Sequence, residues 1–288
     1  MPIPRDPEWR TLHGVADRRR AEMRRAFMRG IERFASDIVL IELERAFEAG
    51  DIGAIEAAIP WEDLPAQLED MADEILRLVE SGARASLKHL PSAIQANLRF
   101  DLLNPRSVNF IREYRYNLIR EITAESREAI RRVVLRAFEE GMHPYKSARY
   151  IRDIVGLTER QALAVDNYRR SLLAQGVPEG RALEMVKRYA NRVHRRRAET
   201  IARTETIRAA SAGQTLLWQE GIEEGLIEPA RTWRVWIVTP DDRLCDICEP
   251  MDGQRVRMDE AFQSSIGPIF DPPVHPNCRC AVSLDFDD

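Results

Sequence analysis

The chain has 288 residues, 44% of them hydrophobic and 31% charged, with a formal net charge of −4. This is the composition of a soluble globular protein, long enough for one large domain or two of ordinary size. The slightly negative balance gives no whole-protein attraction to nucleic acid or acidic membranes. No apolar run is long enough to span a bilayer, and the N-terminal MPIPRDPEWR has no apolar signal core, so secretion is not expected.

In chain order, the first three quarters read as helix. Met23, Phe27, Ile31, Phe34, Ile38 and Ile41 recur in steps of three and four, which predicts one apolar helical stripe closed by Gly50-Asp51. Leu68, Met71, Ile75 and Leu78 repeat the pattern. Pro105 punctuates, Ser107 is an expected N-cap, and a stripe from Ile111 through Tyr114, Leu118 and Ile122 runs on to Phe138, with Gly141 as a stop. Unbroken, that helix would be about 50 Å long at roughly 1.5 Å per residue. Thr158 and Gln161 have capping-box spacing and open a helix ending near Gly176; Pro178 sits where the next begins. A further helix is expected from about Ala198 to Gly221. At Pro229 the character changes. Arg231 to Val238 alternates as a strand, Asp252-Gly253 signals a hairpin turn before a strand over Gln254 to Met258, and Cys280 to Leu284 is a candidate third. The fold class expected is mainly α with a small α+β C-terminal domain: an elongated helical body followed by a Cys/His-clamped β-hairpin module. The division expected is residues 1–144, helical, and 145–288, itself split into helices over 145–228 and a Cys/His-rich module over 229–288.

All four cysteines lie in that last module. Cys245 and Cys248 form a C-x-x-C pair, and the run His275-Pro-Asn-Cys278-Arg-Cys280 adds an imidazole and two thiols. Thiolate and imidazole are zinc's preferred ligands, and a two-residue spacer lets one tight turn aim two sulfurs at one point. Five candidates stand for four places, so one is spare. A structural zinc site is the first reading. Disulfides formed in oxidising surroundings, or buried thiols beside a packed histidine, are the alternatives. A catalytic zinc is disfavoured, because no H-E-x-x-H helix is present and nothing else in the cluster stands out as a general base.

Two basic segments invite a nucleic-acid reading. Lys187, Arg188, Arg192, Arg195, Arg196 and Arg197 form one, continued by Arg203 and Arg208; Arg18, Arg19, Arg20, Arg24, Arg25, Arg29 and Arg33 form another. Such runs can track a phosphate backbone without sequence preference, or be solvated helix faces. They lack the interleaved aromatics of a single-strand platform. Arg203 and Glu205 lie beside apolar Ile201, Ala202 and Ile207, so at least one is expected to be buried and paired.

The stretch Ala198-Glu-Thr-Ile-Ala-Arg-Thr-Glu-Thr206, followed by Trp233, Asp242, Cys245-x-x-Cys248, Gly253 and Pro272-Pro273-Val-His275-Pro-Asn-Cys278-Arg-Cys280, resembles the Mu F-like phage head-morphogenesis family, as does Gly156-Leu-Thr-Glu-Arg-Gln-Ala162 upstream. The resemblance covers about Tyr145 to Leu284. It implies a minor head (minor capsid) protein of a tailed bacteriophage, encoded beside the portal and incorporated during procapsid assembly. It further implies portal protein and major capsid protein as partners, proximity to packaged DNA, location in the virion head after assembly in the host cytoplasm, and no required catalysis. The competing readings are a zinc-finger-type nuclease and a non-specific DNA-binding protein. Against the nuclease, the only histidine of the C-terminal module, His275, is already a ligand candidate.

Overall fold

The computed structural model describes residues 6–239 and 241–287. The signal-core expectation falls partly on residues 1–5, outside the described residues. No helix among the described residues is long and apolar enough to cross a membrane. Among the described residues, ten α-helices precede the sheet: α1 (Pro7–Asp37), α2 (Leu40–Ala49), α3 (Ile52–Ala57), α4 (Leu64–Gln67), α5 (Glu69–Leu87), α6 (Ser92–Asn97), α7 (Pro105–Glu139), α8 (Pro144–Ile154), α9 (Glu159–Ala174) and α10 (Glu179–Glu223). Five short strands follow among the described residues: β1 (Thr232–Ile237), β2 (Arg255–Arg257), β3 (Phe262–Ser264), β4 (Gly267–Ile269) and β5 (Ala281–Phe286). The fold is mainly α with a small antiparallel sheet at the C-terminal end, as the hydrophobic periods predict.

Local chemistry accounts for most boundaries. Thr158 and Gln161 make the reciprocal capping box that starts α9. Gly50, Gly141 and Gly176 follow helix ends with φ of 67°, 62° and 76°, the left-handed conformation glycine adopts without strain. Three of the helix expectations need correction. The stripe through Ile38 and Ile41 is not one helix: Val39 is extended (φ −78°, ψ 102°), and Ile41 is exposed while Ile38 stays buried. Two adjacent β-branched residues, Ile38 and Val39, hold helix weakly, so the chain can bend there. The cap of α7 is Asn104, not Ser107: the Asn104 side chain accepts from the Arg106 N–H at 3.0 Å, with Pro105 in the first helical position. The segments on either side of Ala198 are a single helix, the 45-residue α10. No proline interrupts it, and its interior is rich in Ala, Arg and Glu, all strong helix formers.

The described residues form two compact units, and the divisions fall inside α1, α5, α7 and α10. One unit comprises Arg25–Met71 and Tyr114–Glu199. In it α2 packs on α8 and Phe47 on Phe138, and the buried pair Asp166–Arg169 (3.0 Å) extends to Arg136 and Glu140.

The other unit comprises the described residues within Met1–Arg24, Ala72–Glu113 and Thr200–Asp288. Here α5 and α10 cross at backbone contact. A Cβ on Gly213 would lie 1.9 Å from the Val79 carbonyl oxygen, and one on Gly82 would lie 2.1 Å from that of Ala210. The sheet order is β2-β1-β5, all antiparallel, with Thr232 opposite Phe286 and Ile237 opposite Ala281. The face of β1 bearing Thr232, Arg234 and Trp236 is the buried one. Asp252-Gly253 is not a two-residue hairpin. It ends the long loop after β1, where the Gly253 N–H donates to the Trp236 carbonyl at 2.9 Å. A second hairpin, β3–β4, goes unsignalled in the sequence because its strands have three residues each. One core joins the sheet to the helices: Trp236, Phe262, Met251 and Val282 share it with Leu90, Leu217, Trp218, Cys248, Cys278 and Cys280. The cysteine module therefore has no separate core, and its thiols lie at the edge of the unit's own.

Candidate metal centre

The two halves of the C-terminal motif sit on loops flanking the central strand pair. The first follows β1. The N–H groups of Cys248 and Glu249 both donate to the Cys245 carbonyl at 3.0 Å, so C-x-x-C forms one tight turn that places its two sulfurs together. The second precedes β5. The Cys278 N–H donates to the His275 carbonyl at 3.1 Å, with Pro276 and Asn277 between them and Asn277 at φ 62°. Proline second and a left-handed Asn third is the signature of a type II turn. That explains why His-Pro-Asn-Cys has these residues between its ligands.

The turns bring all five sequence candidates together. His275 Nε2 lies 3.1 Å from Cys245 Sγ and 3.2 Å from Cys248 Sγ, and Cys248 Sγ lies 3.9 Å from Cys278 Sγ. Ligand atoms of Cys245, Cys248 and His275 lie within 4.8 Å of one another, as do those of Cys248, Cys278 and Cys280, so Cys248 belongs to both groups. All four cysteines are free, and 3.9 Å is far beyond the roughly 2.05 Å of a disulfide. A tetrahedral zinc with Zn–S near 2.3 Å sets two thiolates about 3.8 Å apart, close to the observed separation. The cavity lined by these side chains has a volume of about 20 Å³, room for one water-sized occupant. His275 Nδ1 is 2.9 Å from the Pro276 carbonyl, which can only accept, so Nδ1 carries hydrogen and Nε2 faces the sulfurs. That is the arrangement a ligating histidine adopts. The donor set thus fits a structural zinc.

The electrostatics follow from crowding. Among the three buried sulfurs, hydrogen bonding from Cys248 and then Cys280 drives the Cys278 thiol far below its ordinary range. Cys248, through its bond to Cys278, and Cys280, through its bond to Cys248, are pushed up. Burial opposes ionisation of Cys245, but the backbone N–H groups of Cys248 and Ile247 outweigh it and lower its thiol. Burial likewise disfavours the His275 imidazolium, yet the Pro276 carbonyl and the neighbouring sulfurs raise it overall. Thiolate is the form that binds metal, so a divalent cation would displace the remaining thiol protons.

Three supports hold the second loop. Asp241, its side chain 2% exposed, pairs with Arg279 through both carboxylate oxygens, one at 2.6 Å, and this ties the first loop to the second. Arg279 holds the Asp241 carboxyl well below the usual range. From α10, the Thr204 hydroxyl accepts the Asn277 N–H at 3.0 Å. From α1, the Trp9 indole donates to the Arg279 carbonyl at 3.0 Å, where the Thr239 hydroxyl also donates at 2.8 Å. His13, stacked on Trp9, lies where the backbone of Cys280 and Arg279 favours its charged form, but burial outweighs this and lowers its pKa to about 4. Nothing in the local sequence singles out Trp9, His13 or Thr204. Their sequence distance from the ligands hides the first two, and Thr204 stands beside the more conspicuous Arg203 and Glu205. Glu205 itself is buried, 3.5 Å from Arg208, and Arg203 is exposed.

The basic segments divide. On α10, Lys187, Arg188, Arg192, Arg195 and Arg196 are exposed, and no ion pair involves them among the described residues. Arg197 is instead buried and pairs with Glu125 at 2.6 Å. On α1, Arg19 pairs with Glu74, Arg20 with Asp17, and Arg29 and Arg33 with Asp70.

The family profile described as Phage Mu protein F like protein matches residues 128–283, more than half of the chain and all five cysteine and histidine candidates. The chain belongs to the Phage Mu protein F like family. Membership indicates a phage head-morphogenesis protein, in keeping with a structural class. No curated protein and no solved structure matches the chain.

Proposed function

We propose that this Mu F-like chain is a structural minor head protein of a tailed bacteriophage. It is incorporated during procapsid assembly in the host cytoplasm, stays in the virion head, and contacts portal and major capsid subunits. Its Cys/His centre holds one zinc through four of Cys245, Cys248, His275, Cys278 and Cys280. The metal fixes the two loops and performs no chemistry. The observation that carries the reading is the family match over 128–283, which includes α10 and the whole ligand-bearing module. The geometry favours a clamp over a nuclease: His275 turns Nε2 to the sulfurs and commits Nδ1 to a carbonyl, so it has no nitrogen left to serve as a base. Co-expression with portal, scaffold and major capsid subunits tests the assignment. The chain should cosediment with procapsids; if it stays in the soluble fraction while particles form without it, the assignment fails.

A DNA contact is a second element of the proposal, carried by the exposed cations of α10. Arg188, Arg192, Arg195 and Arg196 fall within one arc of the helix at 100° per residue. Binding to duplex DNA should be independent of sequence and should weaken steeply with salt. Replacing all four with Gln should flatten the salt dependence; an unchanged slope would remove this contact from the account.

A further inference from the structure

The unit containing Tyr114–Glu199 carries an open groove that the metal centre and the basic stripe do not use. Its volume is about 390 Å³, within the range of specific binding sites. One wall is a face of α7, where Tyr116, Ile119, Arg120, Thr123, Ala124 and Arg127 recur at helical spacing. Trp61 and Pro65 form the other. At 1.5 Å per residue the α7 wall runs about 16 Å from Tyr116 to Arg127, longer than a compact metabolite and about three helical turns.

The groove is apolar along its middle and cationic at two points. The Arg120 guanidinium lies 5.5 Å from the Tyr116 ring centre, and that of Arg127 lies 5.2 Å from the Trp61 ring. Stacking on a ring holds each cation in place while its N–H groups stay available. Both arginines are exposed, and neither forms an ion pair among the described residues. Tyr116 is 63% exposed, so the groove presents an aromatic surface to solvent. Trp61 is 5% exposed, and its indole N–H has no hydrogen-bond partner among the described residues. The two cations stand seven residues apart on α7, about 10 Å along its axis.

We propose that this groove docks a helical segment of a partner protein that presents bulky apolar side chains between two carboxylates seven residues apart. Seven residues of an opposing helix span the same 10 Å, so both carboxylates meet an arginine while the side chains at the third and fourth positions between them fill the apolar middle. The cations set the register, the exposed Tyr116 with Ile119 and Ala124 supplies the contact area, and the buried Trp61 backs the Arg127 end.

The test uses the full chain with isotope-labelled methyl groups and a capped 16-residue helical peptide. The peptide carries Glu at two positions seven apart, with Leu and Phe three and four residues after the first; a matched peptide has Gln for both Glu. The Glu peptide should bind saturably, shifting the methyl signals of Ile119, Thr123 and Ala124, and the Gln peptide should bind at least tenfold more weakly. Arg120→Gln with Arg127→Gln should weaken the Glu peptide about tenfold and leave the Gln peptide unchanged. Both arginines are exposed, so the variant is expected to fold, and the methyl spectrum checks that directly. Equal affinity for the two peptides, methyl shifts confined to other parts of the chain, no effect of the double arginine variant, or no saturable binding of the Glu peptide would each overturn the proposal.

Discussion

The crossing of α5 and α10 gives the sharpest stability prediction. Gly213→Ala adds a Cβ 1.9 Å from the Val79 carbonyl oxygen, 2.7 Å from its carbon and 3.0 Å from the Ala83 nitrogen. Ordinary contact begins near 3.4 Å, so the deficit is about 1.5 Å. The opposing atoms are backbone and cannot rotate aside as a side chain could. Alanine is favoured over glycine in a helix by about 1 kcal/mol. Overpacking a rigid contact costs about 1–3 kcal/mol and sometimes more, and here two helix backbones must part. The expected net loss is about 2 kcal/mol, read as a lower urea midpoint with an unchanged slope, followed by far-ultraviolet circular dichroism. Gly180→Ala, where a Cβ would meet nothing within 4 Å, should instead be neutral or stabilising by up to about 1 kcal/mol. Gly82→Ala should resemble Gly213→Ala, and the two together should cost less than their sum, because one separation relieves both. Wild-type stability in Gly213→Ala would refute the close crossing.

Other outcomes follow from buried polar groups. Burial pushes the Glu8 carboxyl up to about 7 despite hydrogen bonds from Ser86 and Gln214, so the folded state retains a proton that the unfolded chain releases near 4.5. Its contribution therefore falls as pH rises from about 4.5 to 7, by roughly 3 kcal/mol at most; Glu8→Gln should gain stability relative to wild type across that window, and parallel pH profiles would contradict this. Asp166, 1% exposed, binds Arg169 at 3.0 Å and Arg136 at 3.2 Å, so Asp166→Ala should cost about 3–5 kcal/mol in a denaturant titration, and a loss under about 1 kcal/mol would mean the pair is solvated. Thr204→Val removes the acceptor for the Asn277 N–H and should cost about 1–2 kcal/mol while speeding amide exchange at Asn277; unchanged exchange would show that the bond does not form.

What the sequence disclosed depended on whether the controlling interactions are local. The capping box at Thr158, the helix-ending glycines and the sheet-forming alternation in β1 are decided within a few residues, so they could be read directly. The C-x-x-C and His-Pro-Asn-Cys turns are local too, which is why all five ligand candidates could be named before the structure brought them together. The break at Val39 was hidden because the apolar period continues across it through Ile38. The continuity of α10 was hidden because helix segments look alike whether or not they join. The supports of the second loop were out of reach for another reason. Trp9 and His13 read as ordinary helix residues until tertiary structure sets α1 against Arg279 and Cys280, and no spacing in the chain encodes that contact. The cysteine module has no separate core for a metal to replace, since Trp236, Met251 and Phe262 pack into a core shared with α5 and α10. A metal there would stabilise the ligand loops rather than replace a missing core.

That role makes one measurement decisive. Cys248 belongs to both ligand groups, so no set of four drawn from the cluster without it unites them. The protein should be purified under reducing conditions and its zinc measured by elemental analysis, for wild type and for Cys248→Ser. The account predicts about one zinc per wild-type chain, lost in the variant, with the loops around Asp241 and Asn277 exchanging amide protons faster. A reduced wild type that is folded yet free of zinc, or a Cys248→Ser chain that keeps its full zinc, would contradict the clamp.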